Sequence, residues 1–286
     1  MTAAAVTFSV MNVVIRVLAD TLDPLQIAFF RNFFALLFML PWLLRTGGQA
    51  LKTTRLPLHL WRAALGFCAM TSWFYAIALL PLAEAVSLNF TVPLFATAGA
   101  AMILGEVVRA RRWSATIVGF LGVLIIVRPG FAEISPVMAL PVMAAACMAG
   151  STLLVKTLSK DHRPATIVLY MNLILTPLSL IPALFVWRWP DPATWGWLVA
   201  LGLLATLSHL GITRAYARAD ASAILPFSYV RLPLVALLAY FAFDEIPDHW
   251  TWIGASVIVG SAVYIARRET RLAIDGAAGR TPQAQT

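Results

Sequence analysis

The sequence predicts an all-α integral membrane protein, with ten transmembrane helices arranged as two inverted five-helix repeats. Three observations lead to this fold class: an extreme composition, ten apolar blocks of roughly membrane-spanning length, and a second half that repeats the first. Hydrophobic residues make up 60% of the chain and charged residues 12%, and the mean hydropathy is +0.83. A soluble domain averages about 45–50% apolar and roughly 25% charged residues, so this composition excludes an ordinary soluble domain.

The apolar blocks predict helices because a bilayer core requires about 20 mostly apolar residues per helical span. Lipid offers the backbone no hydrogen-bond partner, so each span must satisfy its own peptide groups as a helix. The first, fifth and tenth blocks are short for a span. The predicted spans are Ala3–Leu18, Leu25–Leu44, Leu60–Leu80, Ala83–Leu104, Trp113–Val127, Pro136–Leu158, Ala165–Trp187, Trp195–Tyr216, Ala221–Phe243 and Trp252–Ala266.

The basic residues alternate between the two sides of these spans. With a cytoplasmic N-terminus, sixteen of the 21 Lys and Arg residues fall in inner loops or the inner tail, and only Arg128 and Arg188 lie in outer loops. This distribution follows the positive-inside rule. It predicts an inner-membrane protein with both termini in the cytoplasm, and it explains the net charge of +8 without nucleic-acid binding. The inner basic residues are Arg45, Lys52, Arg55, Arg62, Arg109, Arg111, Arg112, Lys156, Lys160, Arg163, Arg214, Arg218, Arg267, Arg268, Arg271 and Arg280.

The second half of the chain matches the first at an offset of 139 to 140 residues. We therefore predict one repeat over residues 1–128, a second over residues 136–268, and a disordered cytoplasmic tail over residues 269–286. Because each repeat holds five spans, the second enters the membrane from the opposite side, as in many secondary transporters. Matching pairs are Arg16 with Lys156, Pro24 with Pro164, Asn32 with Asn172, Pro93 with Pro233, Glu106 with Glu245, and Trp113 with Trp252.

Several motifs resemble the drug/metabolite transporter superfamily, in its EamA branch. They are Asp23-Pro24-Leu25-Gln26-Ile27-Ala28-Phe29-Phe30-Arg31 at the start of span two, Leu80-Pro81-Leu82-Ala83-Glu84-Ala85 before span four, and Leu104-Gly105-Glu106 after it. The resemblance implies ten helices in two inverted units that transport small metabolites. This family includes exporters of amino acids and importers of nucleoside-like or vitamin-like compounds.

The expected function is outward transport of a small amphipathic metabolite by alternating access, with an apolar or aromatic amino acid as the first candidate. Uptake of a nucleoside-like or vitamin-like metabolite is the alternative. The expected partners are the substrate and the lipid bilayer, and the protein is expected to act as a monomer.

Ionisable residues inside spans are costly in a membrane and are therefore candidates for the substrate site. Arg31 lies seven residues into span two, where it either binds a substrate carboxylate or pairs with Glu84. Arg231 lies near the middle of span nine, and His209 is the only histidine within a span. No Asp or Glu is predicted near the midplane, so proton coupling would depend on His209, on Glu84, or be absent.

Aromatic rings and amides within spans complete the predicted cavity, since ligand sites combine apolar walls with a few polar groups. Each of these side chains could equally pack in the bundle or face lipid. The candidates are Asn12, Trp73, Tyr75, Asn89 and Tyr229.

An integral-membrane enzyme and an ion channel are the competing classes, and the sequence favours neither. Catalysis requires convergent nucleophiles, bases or metal ligands, and no such cluster or H-E-x-x-H motif is present. The two cysteines, Cys68 and Cys147, lack metal or redox spacing. We therefore expect no catalytic residue, no metal and no cofactor.

Overall fold

The computed structural model of the chain describes residues 2–47, 53–103, 110–127, 135–218 and 231–278. Within these ranges the regular elements are helices, and no strand occurs. The helices are α1 (Thr2–Ala19), α2 (Pro24–Thr46), α3 (Leu56–Leu79), α4 (Leu82–Asn89), α5 (Val92–Ile103), α6 (Ala110–Val127), α7 (Ala139–Leu158, after a 3₁₀ turn at Pro136–Met138), α8 (Pro164–Phe185), α9 (Pro192–Arg218), α10 (Arg231–Phe243) and α11 (His249–Ala278).

Five of these segments are long and apolar enough to cross a membrane, at Pro24–Thr46, Leu56–Leu79, Pro136–Leu158, Pro164–Phe185 and Pro192–Arg214. At 1.5 Å per residue, the 23 residues of α2 extend about 34 Å, which matches a bilayer core with its interfaces. The all-helical class is thereby confirmed, together with five of the ten predicted apolar spans.

Aspartates fix the first turns of three helices. The Asp23 carboxylate accepts the Leu25 backbone N–H at 2.8 Å, and Asp191 and Asp248 accept those of Thr194 and Thr251 at 2.7 Å each. A short oxygen acceptor at the N-cap satisfies a backbone donor that has no partner within the helix. Helices α2, α9 and α11 therefore begin where an Asp precedes the apolar run.

The predicted fourth span is interrupted, which the hydropathy pattern did not reveal. Helix α4 ends at Asn89 and α5 begins at Val92, with a turn at Phe90 and Thr91. Pro93 explains the break, because proline lacks a backbone N–H and its ring collides with the carbonyl four residues earlier. The break lies inside the bundle, since both turn residues are buried.

The last helix differs from the prediction at its C-terminal end. Helix α11 continues to Ala278, whereas a disordered tail was predicted from residue 269. The small and polar residues that suggested a tail, such as Gly276, follow the helix formers Leu272 and Ala273, which allow the helix to propagate. Residues 279–286 lie outside the described ranges.

The helices pack around one large apolar core that includes Ile15, Ile27, Ile77, Leu88 and Leu198. The most extensive helix pairs are α6 with α11, α3 with α7, α2 with α8, and α1 and α2 with α9. Small residues allow the closest of these approaches. A Cβ added at Gly254 would lie 2.6 Å from the Gly122 carbonyl oxygen, so the backbones of α6 and α11 are in direct contact.

The connecting loops gather at two ends of the bundle, which we name after their charges. At the acidic end, Arg16 pairs with Glu245 at 3.4 Å, and Glu245 accepts the Leu82 N–H at 2.7 Å. At the basic end, Arg55 pairs with Asp161 at 2.9 Å. Each contact joins loops or helix ends that the sequence places on the same side of the membrane.

Candidate functional site

A central cavity lies between α1, α2, α3, α7, α8 and α9. The volume of this cavity is about 110 Å³, which is smaller than the roughly 300–1,000 Å³ of pockets that hold drug-sized ligands. Its lining residues are Phe8, Met11, Arg31, Arg62, Gly66, Ala69, Met70, Trp73, Phe74, Met148, Ser151, Met171, Leu175 and His209.

Two buried arginines give the cavity its charge. Arg31 is 4% exposed and donates to Asn32 Oδ1 at 2.7 Å and to the Met70 sulfur at 3.8 Å. Arg62 is 5% exposed and donates to the Ile167 carbonyl at 3.5 Å. The Nε atoms of both arginines are buried without a hydrogen-bond partner. The described lining contains no Asp or Glu, so the protein provides no carboxylate beside these charges.

The two arginines enter the cavity from opposite ends of the bundle. Arg31 lies seven residues, or about 10 Å, from the acidic end of α2. Arg62 lies six residues, or about 9 Å, from the basic end of α3, which runs antiparallel to α2. Both arginines and His209 line the same cavity, so the three groups share one electrostatic environment.

Two sequence interpretations of the arginines require correction. The alternative Arg31–Glu84 ion pair is not formed: Arg31 lines the central cavity and bonds to Asn32, whereas Glu84 lines a separate pocket at the acidic end. Arg62 was counted among the inner-loop residues, but it is buried within α3 and lines the cavity. Its position inside the predicted span Leu60–Leu80 was the signal that should have identified it as a candidate.

The rest of the cavity lining is aromatic and rich in sulfur. Trp73 is 5% exposed, and its ring N–H donates to Asn12 Oδ1 at 3.3 Å. His209 packs edge-on against Phe8, with ring centroids 5.7 Å apart. The lining also includes four methionines, whose flexible and polarizable side chains adapt to irregular apolar ligands. The Asn12 amide nitrogen is buried without a partner, which leaves a donor beside Trp73.

The structure therefore brings together Asn12, Arg31, Trp73 and His209 of the predicted site. Tyr75 lies elsewhere: its hydroxyl donates to Asp23 Oδ1 at 3.1 Å, in a groove at the acidic end. Two residues along a helix correspond to about 200° of rotation, so Trp73 and Tyr75 face in opposite directions.

Three predicted residues remain, of which the structure describes only the side chain of Asn89. Asn89 is buried at the C-terminal end of α4. Tyr229 lies outside the described residues. Arg231 begins α10, but its side chain is not among those described.

Further contacts join helices towards both ends of the bundle. Towards the basic end, His59 stacks on Tyr170 at 4.4 Å between centroids and meets His162 edge-on at 5.3 Å. Towards the acidic end, Arg16 donates to the Ile77 and Ala78 carbonyls at 2.5 and 2.8 Å. In the part of the chain that the structure describes, no group of three His, Cys, Asp or Glu residues is arranged to hold a metal ion.

Comparisons with known proteins agree with the architecture. The EamA-like transporter family matches residues 1–128 and 136–267. One solved crystal structure covers 94% of this chain and 99% of its own, with a TM-score of 0.65 and 20% sequence identity. That identity supports a shared fold only.

Curated relatives are similar along nearly the whole chain. A riboflavin transporter of Vibrio cholerae is 35% identical, over 95% of this chain and 93% of the relative. An S-adenosylmethionine uptake transporter of Rickettsia prowazekii is 31% identical, over 93% and 90%. A pseudopaline exporter of Pseudomonas aeruginosa is 32% identical, over 92% and 93%. The matches in both halves, together with the helical and apolar architecture, establish that this chain belongs to the EamA-like transporter family.

Proposed function

We propose that the protein is a secondary transporter that takes up a small vitamin-like or nucleoside-like metabolite with a flat ring system through the central cavity. The main support is the cavity wall formed by the buried rings of Trp73 and Phe74 and the half-buried ring of Phe8. The polar groups of Asn12 and His209 lie beside this wall. Aromatic faces bind planar rings, and the few polar groups orient them. The names of the riboflavin and S-adenosylmethionine relatives support this substrate class.

Outward transport of an apolar or aromatic amino acid is the second candidate. The pseudopaline exporter among the relatives supports the outward direction. The cavity favours this candidate less, because the described lining has cationic donors for a carboxylate but no Asp or Glu for the substrate's ammonium group.

We further propose that the two halves form inverted repeats that alternate access to the cavity. Under the 140-residue offset, α1, α2 and α3 correspond to α7, α8 and α9, and α6 corresponds to α11. The helix contacts are consistent with this correspondence. The contact of α1 with α9 has its counterpart in the contact of α7 with α3, and the contact of α2 with α9 has its counterpart in the contact of α8 with α3. Helices α2 and α8, and α6 and α11, pair directly with their own counterparts, as a two-fold axis between the repeats would require.

Individual contacts support the same relation. A Cβ added at Gly119 would meet Ser261 Oγ, and a Cβ added at Gly122 would meet Ile258. At an offset of 139, Gly119 corresponds to Ile258 and Gly122 corresponds to Ser261, so the two contacts are equivalent. Similarly, Asn32 donates to Ser179 Oγ at 3.2 Å. The corresponding pair is Asn172 with Met39, and Met39 offers no hydroxyl, which explains why the buried Asn172 amide has no partner.

The topology belongs to the same proposal: an inner-membrane protein with cytoplasmic termini, the basic end facing the cytoplasm and the acidic end facing outward. Cysteine labelling tests it in a variant without Cys68 and Cys147. Ile246→Cys, at a loop position that is 77% exposed, should react with an impermeant maleimide added outside intact cells. Labelling of this position only after the cytoplasmic side is exposed would contradict the orientation.

The transport proposal is tested with purified protein in liposomes. Riboflavin, S-adenosylmethionine, nucleosides and aromatic amino acids should be offered separately, and we expect saturable accumulation of a ring-bearing metabolite in chemically unchanged form. Trp73→Leu should weaken its apparent affinity by about 2- to 10-fold, the range expected for one lost aromatic contact. Trp61→Leu is the matched control, since Trp61 lies on the same helix but is 66% exposed.

Two results would contradict the proposed function. Equal changes of the apparent affinity in Trp73→Leu and Trp61→Leu would show that the substrate does not bind in the cavity. Transport restricted to amino acids, with no ring-bearing vitamin or nucleoside accepted, would favour the second candidate.

A further inference from the structure

Arg31 and Arg62 leave an unusual set of donors without protein partners. All the bonds that Arg31 makes use Nη1, so its Nε and Nη2 atoms, which form one edge of the guanidinium, are both unpaired with protein. Arg62 uses both terminal nitrogens, one towards the Met171 sulfur at 3.4 Å, and leaves Nε unpaired. The donors of both arginines therefore exceed the acceptors that the cavity provides.

Apart from Asn32 Oδ1, which accepts from Arg31 at 2.7 Å, the acceptors that are present are weak for a buried cation. Sulfur accepts hydrogen bonds poorly, and a bond of 3.5 Å from Arg62 to the Ile167 carbonyl is at the limit of useful geometry. A buried charge normally requires a paired opposite charge, since desolvation strongly disfavours an isolated ion. Two like charges in one cavity increase this demand.

We propose that Arg31 and Arg62 bind an oxyanion of the transported metabolite, a carboxylate or a phosphate, and select anionic over neutral substrates. This inference rests on the proposed transport function and specifies the substrate class of the same cavity. The Nε–Nη2 edge of Arg31 presents two parallel N–H groups, the geometry with which arginine binds carboxylates and phosphates in bidentate fashion. Arg62 supplies a second positive charge and a further N–H from the opposite end of the cavity.

The rest of the lining fits a substrate with an anionic group at one part and a ring at another. Trp73 and Phe8 offer ring surfaces, and the unpaired Asn12 amide nitrogen lies beside Trp73. No described acidic lining residue would repel the anion. The ring thus accounts for the apolar wall, and the oxyanion accounts for the two arginines.

The test compares matched substrates that differ mainly in charge. Wild-type protein in liposomes should be assayed with nicotinate against nicotinamide, and with riboflavin 5′-phosphate against riboflavin. We expect the anionic member of at least one pair to be transported with a kcat/KM at least 10-fold higher. A preference confined to the first pair identifies a carboxylate as the recognised group, and one confined to the second identifies a phosphate.

Substitutions then assign the preference to the arginines. Arg31→Met introduces the residue that the second repeat has at the corresponding position, Met171. Arg62→Met is the same substitution at the other arginine. Each should reduce the anion-to-neutral ratio by about 10- to 150-fold, the loss expected for a hydrogen bond to a charged group. Arg31→Lys and Arg62→Lys retain the charge and should keep part of the preference. Arg45→Met is the control, since Arg45 is an exposed residue at the end of the same helix as Arg31.

The wild-type measurement decides the inference even if a methionine variant fails to fold. Saturable transport of riboflavin or nicotinamide, with no preference for the anionic partner, would overturn the inference and leave the proposed function intact. A preference that survives both methionine substitutions would assign the selectivity elsewhere and also overturn it. Absence of transport for every ring-bearing compound would reject both.

Discussion

The contact between α6 and α11 provides a quantitative test of the packing, through the substitution Gly254→Ala. The added Cβ would lie 2.6 Å from the Gly122 carbonyl oxygen, while ordinary contact begins at 3.4 Å. The two helices must therefore separate by about 0.8 Å (3.4 minus 2.6) or bend. The obstacle is backbone, so rotation of a side chain does not relieve it. Overpacking of this kind lowers the free energy of unfolding by about 1–3 kcal/mol.

Gly260→Ala is the control, because it lies on the same helix and its added Cβ meets nothing within 4 Å. Replacing helical glycine by alanine favours the helix by about 0.8–1 kcal/mol at both positions, so this contribution cancels in the comparison. We expect Gly254→Ala to be less stable than Gly260→Ala by about 1–3 kcal/mol when thermal unfolding is followed by fluorescence in detergent. Equal stability of the two variants would refute the close contact of α6 with α11.

Four further substitutions test the polar contacts. Arg16→Met should lower the free energy of unfolding by about 1.5–3 kcal/mol, since Arg16 joins Glu245 to the carbonyls that end α3; thermal unfolding in detergent measures the loss. Asn172→Leu should raise the melting temperature by removing a buried amide without partners, whereas Asn32→Leu should lower it by breaking the bond to α8. The hydroxyl and backbone N–H of Thr194 donate to Asp191 and hold the pKa of its carboxyl below the ordinary value. The carboxylate should therefore stabilise the helix fully at pH values above the ordinary pKa. This stabilisation should be lost as the pH falls through the lower pKa of the folded state. In Asp191→Asn, which caps the helix without titrating, this part of the acid sensitivity should disappear from unfolding curves recorded against pH.

Each of these expectations has a definite contrary result. Arg16→Lys retains the charge and should recover part of the stability lost in Arg16→Met; no recovery would assign the loss to packing. Destabilisation by Asn172→Leu equal to that by Asn32→Leu would mean that the Asn172 amide has a bonding role. Identical acid unfolding of wild type and Asp191→Asn would show that titration of Asp191 does not contribute to the acid sensitivity of the fold.

Most of the helices could be located from the sequence because the thickness of the bilayer core sets both the length of each apolar segment and the length of each helix. The predicted Leu25–Leu44 became Pro24–Thr46 and Ala165–Trp187 became Pro164–Phe185, with proline marking both starts. The internal match of Pro24 with Pro164 therefore reflects equivalent helix starts. The break between α4 and α5 was missed, because hydropathy does not register the backbone donor that Pro93 removes.

The candidate site was only partly predictable. Asn12, Arg31, Trp73 and His209 converge in the structure, and polarity within an apolar span was the signal that selected them. The same signal also selected Tyr75, which bonds to Asp23 at the acidic end. It would have selected Arg62 as well, had the residue not been assigned to a loop by its proximity to a span end.

The sequence by itself determined the class of protein and its family, because composition, apolar block length and linear motifs are properties of the chain. Only the tertiary structure decided which polar residues share a cavity and which bonds they make. That outcome depends on helix rotation: a residue's depth follows from its position along the span, whereas the direction of its side chain depends on the neighbouring helices. Arg31 thus had a predictable depth, but its bond to the Met70 sulfur and its place in one cavity with Arg62 arise from the packing of α2 against α3.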